Sequence, residues 1–163
     1  MSILQVPIKA ELGLTDTQLG IMTGLAFSLL YTTMTLPIAR LADLTQRRYV
    51  IAGALAVWSL MTLGCGFAGS FLSLVILRMG VAIGESGCVP ASHAMLADYF
   101  PLEQRARALA TWALVFPLGT LLGIASSGWL NEVIGWRHTF VLLGVIGLCM
   151  APIVLLTLRE PEC

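Results

Sequence analysis

The sequence predicts an all-α membrane protein, and two features carry this prediction. Hydrophobic residues make up 58% of the chain and charged residues 11%, whereas a water-soluble domain carries about 25% charged residues. Several long runs contain no charge, and each is near the roughly 20 apolar residues that one spanning helix requires. Open strands would leave backbone groups unpaired in lipid, and the sequence lacks the alternating pattern of barrel strands. We therefore expect helices surrounded by the lipid bilayer.

The uncharged runs place five transmembrane helices in order along the chain. The first run and the last two fit one span each, and the block 49–97 is long enough for two, with a natural turn at Gly69-Ser70. The predicted helices cover residues 18–39, 49–68, 71–97, 106–130 and 138–158. Residues 1–16 are expected to form an extracytoplasmic loop.

Basic residues outside the spans predict the orientation. Six lie on one side, namely Arg40, Arg47, Arg48, Arg105, Arg107 and Arg159, and only Lys9 and Arg137 lie on the other. The positive-inside rule places the loops 40–48 and 98–107 and the C-terminus in the cytoplasm. We expect the membrane to be a bacterial inner (plasma) membrane. The N-terminus then lies outside without a recognisable signal peptide, so we expect that a first helix is missing and that the parent protein is larger.

Charge and cysteine patterns exclude several function classes. The net charge is zero and the sequence has no basic tract, so we expect no nucleic-acid partner. Cys65, Cys88, Cys149 and Cys163 lie far apart, which is typical of packing residues and gives no metal or cofactor spacing.

Trp129 and Trp136, near a span end, are interpreted as interface anchors, and Trp58 and Trp112 as packing residues.

Two full charges, Arg78 and Glu85, interrupt the third span. Seven residues on a helix rise about 10.5 Å over nearly two turns, so both side chains share a face but are too far apart for an ordinary direct salt bridge. A charge at the bilayer centre costs on the order of 2.5–3.5 kcal/mol and nearly always faces a bundle interior or an aqueous cavity. We predict a proton or substrate site on a cavity wall; a purely structural tie between helices is the alternative.

Small residues and prolines predict close helix contacts and bends. Spacings of four residues between glycines allow neighbouring helices to approach, and a proline removes a backbone hydrogen bond. The residues concerned are Gly20, Gly24, Gly80, Gly84, Pro90, Pro117, Gly119 and Gly123.

The segment ARLADLTQRRYV, residues 39–50, resembles the loop between helices two and three of the major facilitator superfamily. Matching positions hold Leu41, Ala42, Asp43, Arg47 and Arg48, whereas Ala39, Leu44 and Gln46 depart from the family pattern. The resemblance implies that Asp43, Arg47 and Arg48 form a cytoplasmic gating loop. A solvated loop that serves only the orientation is the alternative.

Segment 84–109, GESGCVPASHAMLADYFPLEQRARAL, resembles the spinster-like branch of that superfamily. In that branch, a helix-four arginine and glutamate matching Arg78 and Glu85 are implicated in proton coupling and substrate handling. GWRHTF at 135–140 and LREPE at 158–162 resemble the corner between helices five and six and the exit from helix six. The resemblance implies that the five spans are helices two to six of a twelve-helix fold, without the first helix and the C-terminal half.

These observations predict a secondary transporter, not an enzyme, that moves a small organic or lipid-like substrate by alternating access with protons as the coupling ion. Anion:cation symporters of the same superfamily, which carry organic acids, are a rival branch, and a non-transporting truncated fragment is a further alternative. Gly84-Glu85-Ser86-Gly87 matches rhomboid-type intramembrane proteases, but those require a histidine beside the serine, and His93 lies about 10 Å farther along the helix.

Overall fold

The computed structural model describes residues 2–158, which form a bundle of helices. After a 3₁₀ turn at Ser2–Leu4, the elements are α1 (Gln5–Leu12), α2 (Asp16–Leu44), α3 (Arg47–Cys65), α4 (Phe71–Tyr99), α5 (Leu102–Ala113) and α6 (Val115–Thr157). Within α6, Gly135 adopts φ 78° and ψ 164°, outside the helical region, and divides the helix into 115–134 and 136–157. The predicted all-α membrane class with five long apolar segments is confirmed.

The turn predicted at Gly69-Ser70 separates α3 from α4. The Ser70 Oγ accepts a hydrogen bond from the Ser73 backbone N–H at 3.2 Å, and the Ser70 N–H donates to the Ser73 Oγ at 3.1 Å. This reciprocal arrangement is a capping box, which satisfies two of the unpaired donors at a helix N-terminus. It fixes where α4 begins.

The predicted loops at 40–48 and 98–107 are largely helical. Helix α2 continues to Leu44 and α3 begins at Arg47, while α4 continues to Tyr99 and α5 begins at Leu102. The predicted helix bounds differ for a physical reason: loss of apolar character marks the membrane boundary, whereas charged residues are compatible with a helix that continues beyond it. The charges therefore project from terminal helical turns.

Residues 1–16 are not simply a loop, because α1 occupies Gln5–Leu12 and Gly13 ends it with φ 62°. Ile8 is fully buried, so α1 packs on the bundle. Eight residues are too few for apolar periodicity to identify a helix in the sequence. At the other end, Arg159, Cys163 and all but the first residue of LREPE lie outside the described residues.

Helix α3 packs between α4 and α6, and α2 packs on α4. Two apolar clusters occupy the ends of this arrangement, one containing Leu74 and the other Ala91. Since both residues belong to α4, Arg78 and Glu85 lie between the clusters. A Cβ at Gly84 would stand 2.6 Å from the Trp58 backbone nitrogen, so α4 and α3 approach closely behind this site.

Other predicted small-residue contacts are not all formed. A Cβ at Gly80 would lie 2.6 Å from the Met61 Sδ, as close packing requires, but no atom lies within 4 Å of a Cβ at Gly20, Gly24, Gly119 or Gly123. Residues 2–158 therefore do not cover these four positions, and tight contacts there stay a prediction. Four-residue spacing shows which small residues share a face but cannot show whether another helix covers it.

The two predicted prolines behave differently. Helix α4 continues through Pro90, whereas the helical hydrogen-bond pattern changes at Leu114, three residues before Pro117, although Leu114 keeps helical angles of φ −67° and ψ −21°. Pro117 has no N–H to donate to the Ala113 carbonyl, which explains the change of pattern at this point.

Candidate functional site

Arg78 projects from α4 toward α2. Its Cζ lies 5.1 Å from the centroid of the Phe27 ring, within the roughly 6 Å range of a cation–π contact. Its Nε is buried and has no hydrogen-bond partner among the described residues. Arg78 also lines a cavity of about 370 Å³ to which Thr120 and Ser127 contribute hydroxyl groups. Arg78 therefore borders an open space and forms no hydrogen bond with residues 2–158.

Glu85 lies two turns farther along the same helix and lines a second cavity of about 350 Å³. Phe27, Tyr31 and Phe116 contribute aromatic walls to this cavity, and Ser28 and Thr32 contribute hydroxyl groups. Within the described part of the chain, the Glu85 carboxylate forms no hydrogen bond or ion pair, and none joins it to Arg78. The site thus presents one cation and one carboxylate, each able to accept a partner from outside these residues.

Sequence reasoning missed Phe27 and Tyr31, which α2 contributes to this site. Their rings stack with centroids 6.1 Å apart and planes inclined by 19°. A spacing of four residues indicates that two side chains share a helix face. It does not indicate which other helix that face meets, so the only sequence signal was their shared face.

The predicted gating residues lie together at one end of the bundle, but they do not form one cluster. Arg47, in the first turn of α3, forms an ion pair with Asp98 near the end of α4. Arg48 donates hydrogen bonds to the Gln46 side chain at 2.9 Å and to the Tyr49 hydroxyl at 3.1 Å.

Asp43 is exposed on the last turn of α2 and pairs with no residue that the structure describes.

Asp98 was missed by the sequence analysis, although it follows a long apolar run on the same predicted side as Arg47. An acidic group at a helix C-terminus and a basic group at an N-terminus each oppose the helix dipole. Pairing Arg47 with Asp98 offsets both unfavourable placements and joins the ends of α3 and α4.

A second polar cluster, here called the corner network, consists of Glu11, Trp136, Arg137 and the Gly66 and Ala68 carbonyls. Arg137 donates to the Glu11 Oε1 from Nε at 3.0 Å and from a terminal nitrogen at 2.9 Å. Its other terminal nitrogen donates to the Ala68 carbonyl at 2.7 Å and to the Gly66 carbonyl at 3.3 Å. This network ties α1 and the end of α3 to the bend at Gly135.

Trp136 belongs to the same network and corrects a prediction. Its Nε1–H donates to the Glu11 Oε2 at 2.6 Å, and this bond, followed by those from Arg137, lowers the pKa of the Glu11 carboxyl. Trp136 is 4% exposed, so its interpretation as an interface anchor is wrong, because a buried indole N–H needs an internal acceptor. Trp129 is 65% exposed, which suits an anchor.

Among the described residues, Ser86, the serine of the protease-like motif, has no histidine beside it. Ser86 is fully buried, and its hydroxyl donates to the Ile83 carbonyl at 2.8 Å. His93 instead contacts the Trp112 ring edge-on with centroids 4.4 Å apart, and the His138 Nδ1 lies 2.9 Å from the Ile134 carbonyl oxygen. Residues 2–158 also bring no three His, Cys, Asp or Glu side chains together, so we assign no metal site.

Comparison with known proteins identifies the family. The sequence model described as the Major Facilitator Superfamily matches residues 1–162. The chain belongs to this superfamily. An MFS-type efflux pump of Mycolicibacterium smegmatis is 39% identical over 155 residues, covering 95% of this chain and 36% of that protein. Human protein spinster homolog 1 is 31% identical over 124 residues, covering 74% of this chain and 24% of that protein.

A solved structure supports the same placement within the Major Facilitator Superfamily. The crystal structure of a bacterial homolog of the human lysosomal transporter Spinster, inward-facing and occupied, superposes with a TM-score of 0.82 at 35% identity. The match covers 98% of this chain and 40% of that one. The predicted spinster-like branch is confirmed, and these relatives are transporters, which supports a non-enzymatic protein. The chain spans only 24–40% of the length of these relatives.

Proposed function

We propose that this chain forms part of a proton-coupled secondary carrier in which α4 faces the substrate path. One observation carries the proposal. Arg78 and Glu85 lie on one helix, border separate cavities, and have no hydrogen-bonding or ionic partner among residues 2–158.

The energetic cost of these two charges argues against a purely structural role. Each costs on the order of 2.5–3.5 kcal/mol at mid-bilayer, and residues that only tie helices together offset that cost by pairing with each other or with backbone carbonyls. The Phe27 ring is the partner that α2 supplies to Arg78, and it carries no acceptor lone pair. The remaining cost must therefore be offset by water, by substrate or by another protein segment.

The two charges suit different tasks. A carboxylate beside hydroxyl groups and aromatic walls can take up and release a proton, and we assign this role to Glu85. A guanidinium presents several donors in a planar fork that matches anionic groups, and we assign substrate binding to Arg78. The Arg47–Asp98 pair, with Asp43 and Arg48 nearby in sequence, would break and re-form as the bundle alternates access between the two sides.

The proposed setting is the lipid bilayer of a bacterial inner membrane, with the C-terminus in the cytoplasm. In this proposal the five apolar segments correspond to helices two to six. The first helix and the C-terminal half of the parent transporter would then complete the cavity around Arg78 and Glu85. The share of its relatives that the chain covers is consistent with this proposal.

Proton movement in proteoliposomes tests the proposal. The full-length protein that contains this chain would be reconstituted with an internal pH-sensitive dye, and a lysophospholipid and D-galactonate would be added separately as probes. We expect substrate-driven proton movement in the wild type and its loss in Glu85→Gln. Glu132→Gln, which changes an exposed carboxylate of α6, is the matched control. If substrate-driven proton movement in Glu85→Gln keeps the wild-type pH dependence, Glu85 is not part of the mechanism.

An organic-acid symporter is the second candidate, because a D-galactonate transporter of Escherichia coli is 29% identical over 152 residues, covering 91% of this chain and 34% of that protein. The same liposome assay separates the two candidates. Acidification inside the vesicles on D-galactonate addition, with no response to lysophospholipid, would favour the symporter.

A further inference from the structure

Resting on the proposed function, we propose that Phe27 is a positioning residue that holds the Arg78 guanidinium away from Glu85, so that each charge stays available to its own cavity. Phe27 lies on α2 and faces both charged residues of α4: its ring lies under Arg78 and lines the Glu85 cavity.

The contacts of Arg78 make the ring its main partner among residues 2–158. The Arg78 Nε is buried without a hydrogen-bond partner. The terminal nitrogens form no hydrogen bond with this part of the chain, and Arg78 lines the same cavity as Thr120 and Ser127. The negative face of an aromatic ring attracts a cation without accepting its hydrogens in conventional bonds, so the fork remains free for an anion.

The position of Phe27 on α2 is itself fixed from two sides. On one side it stacks on Tyr31, one turn farther along, which also lines the Glu85 cavity. On the other side, the π-helical segment Ile21–Leu25 ends two residues before Phe27 and changes the helical register. Such π-helical turns are frequent at functional sites.

Seven residues are too far apart for an ordinary salt bridge, but without this ring the flexible Arg78 side chain would still extend toward Glu85, the nearest opposite charge on α4. The two would then neutralise one another, and neither would be available to a proton or an anionic substrate. Holding the cation over a ring prevents this without placing a competing carboxylate beside it.

Chemical accessibility of Arg78 tests the assignment directly. The full-length protein in lipid nanodiscs would be treated with phenylglyoxal, an arginine-selective reagent, and the modification rate at Arg78 measured by peptide mass spectrometry. Phe27→Leu should lower the rate roughly three- to tenfold, because the guanidinium, released from the cation–π contact, turns from its own cavity toward Glu85. Phe27→Trp, which keeps an aromatic face, should leave the rate unchanged.

Trifluorophenylalanine at position 27 distinguishes the ring's electrostatics from its shape, because fluorination weakens the negative face while keeping the ring in place. It should lower the rate toward that of Phe27→Leu. Phe116→Leu, which changes another aromatic wall of the Glu85 cavity, should leave the rate at wild type. A rate with trifluorophenylalanine that is equal to or above wild type, or an equal decrease in Phe116→Leu, would overturn the proposal.

The labelling rate does not depend on transport. Proton movement that persists in Glu85→Gln would therefore contradict the proposed function alone, whereas unchanged labelling in the Phe27 variants would contradict this positioning role alone.

Discussion

The corner network and the α4 site contain the same residue types in opposite situations. Arg137 donates four hydrogen bonds, to Glu11 and to the Gly66 and Ala68 carbonyls. Arg78 donates none to the described residues and rests on an aromatic ring. Each region contains one arginine and one glutamate, but only Arg137 forms an ion pair with its glutamate, Glu11.

This difference separates structural from functional charges. A fully satisfied polar network makes the structure rigid, because every donor and acceptor that it contains would be costly to expose without a partner. A charge left without a polar partner is instead a site where an outside group gains by binding. Both regions contain charged side chains. They differ in whether neighbouring groups form hydrogen bonds and ion pairs with those charges.

Replacing the unsatisfied arginine should have the largest effect, with opposite signs on activity and stability. Arg78→Leu should abolish transport by the full-length protein, yet raise its free energy of unfolding by about 1–3 kcal/mol, because the cost of an unpaired charge in the membrane is removed. Transport in proteoliposomes and unfolding in a denaturing detergent measure the two effects. A loss of stability comparable with that of Arg137→Leu would break the comparison.

Replacing the satisfied arginine should destabilise the fold. Arg137→Leu removes its charged donors from the Gly66 and Ala68 carbonyls, and hydrogen bonds to charged groups contribute about 1.5–3 kcal/mol each in favourable cases. Since Arg137 is partly exposed, we expect the free energy of unfolding to fall by about 2 kcal/mol in the same unfolding assay. Arg137→Lys cannot reach three acceptors in one plane, so it should retain only part of that free energy. Full recovery by lysine would show that charge alone matters.

Packing on the other face of α4 sharpens the comparison. Helix α4 packs tightly on α3 at Gly84, whereas Arg78 and Glu85 border cavities. Gly84→Ala places a Cβ 2.6 Å from the Trp58 nitrogen and 3.0 Å from the Ala54 carbonyl oxygen, both backbone atoms. The resulting shift of α4 against α3 should cost about 1–3 kcal/mol in the unfolding assay.

Gly119→Ala is the matched control, because nothing lies within 4 Å of its added Cβ. Its effect should be neutral or stabilising by up to about 1 kcal/mol, the gain in helix propensity. Equal destabilisation by both variants would mean that another segment covers Gly119 as tightly as α3 covers Gly84.

The sequence predicted the helical class, the five apolar segments and the placement of Arg78 and Glu85 on one face, because hydropathy and helical period are local properties. It did not predict the partners of these residues. Phe27 meets Arg78, and Asp98 meets Arg47, across helices that are distant in sequence. Those contacts depend on how the helices are rotated about their axes, which is a property of the packed bundle.

The corner network shows the same limit more clearly. Glu11 and Arg137 are 126 residues apart, and α1 was too short to be predicted as a helix. Trp136 was misinterpreted because its position near a span end is also typical of interface residues. Only the closure of the bundle brings its indole N–H to the Glu11 carboxylate.

Acidification should produce the smallest effect, confined to the corner network. The pKa of the Glu11 carboxyl is lowered in the folded protein by the Trp136 and Arg137 hydrogen bonds. Its contribution to stability is therefore present above the unfolded-state pKa and is lost as the pH falls through the lower, folded-state value. We expect hydrogen exchange in α1, corrected for the intrinsic pH dependence of exchange, to increase in acid before the rest of the bundle changes.

Glu11→Gln is the control for this acid response, because the amide oxygen can still accept from Trp136 but carries no charge for Arg137. The variant should exchange faster in α1 at neutral pH and show no further increase in acid. Persistence of the wild-type acid response in Glu11→Gln would mean that another titrating group holds α1, and the corner network would then owe its stability to packing of Ile8 and Trp136 more than to its charges.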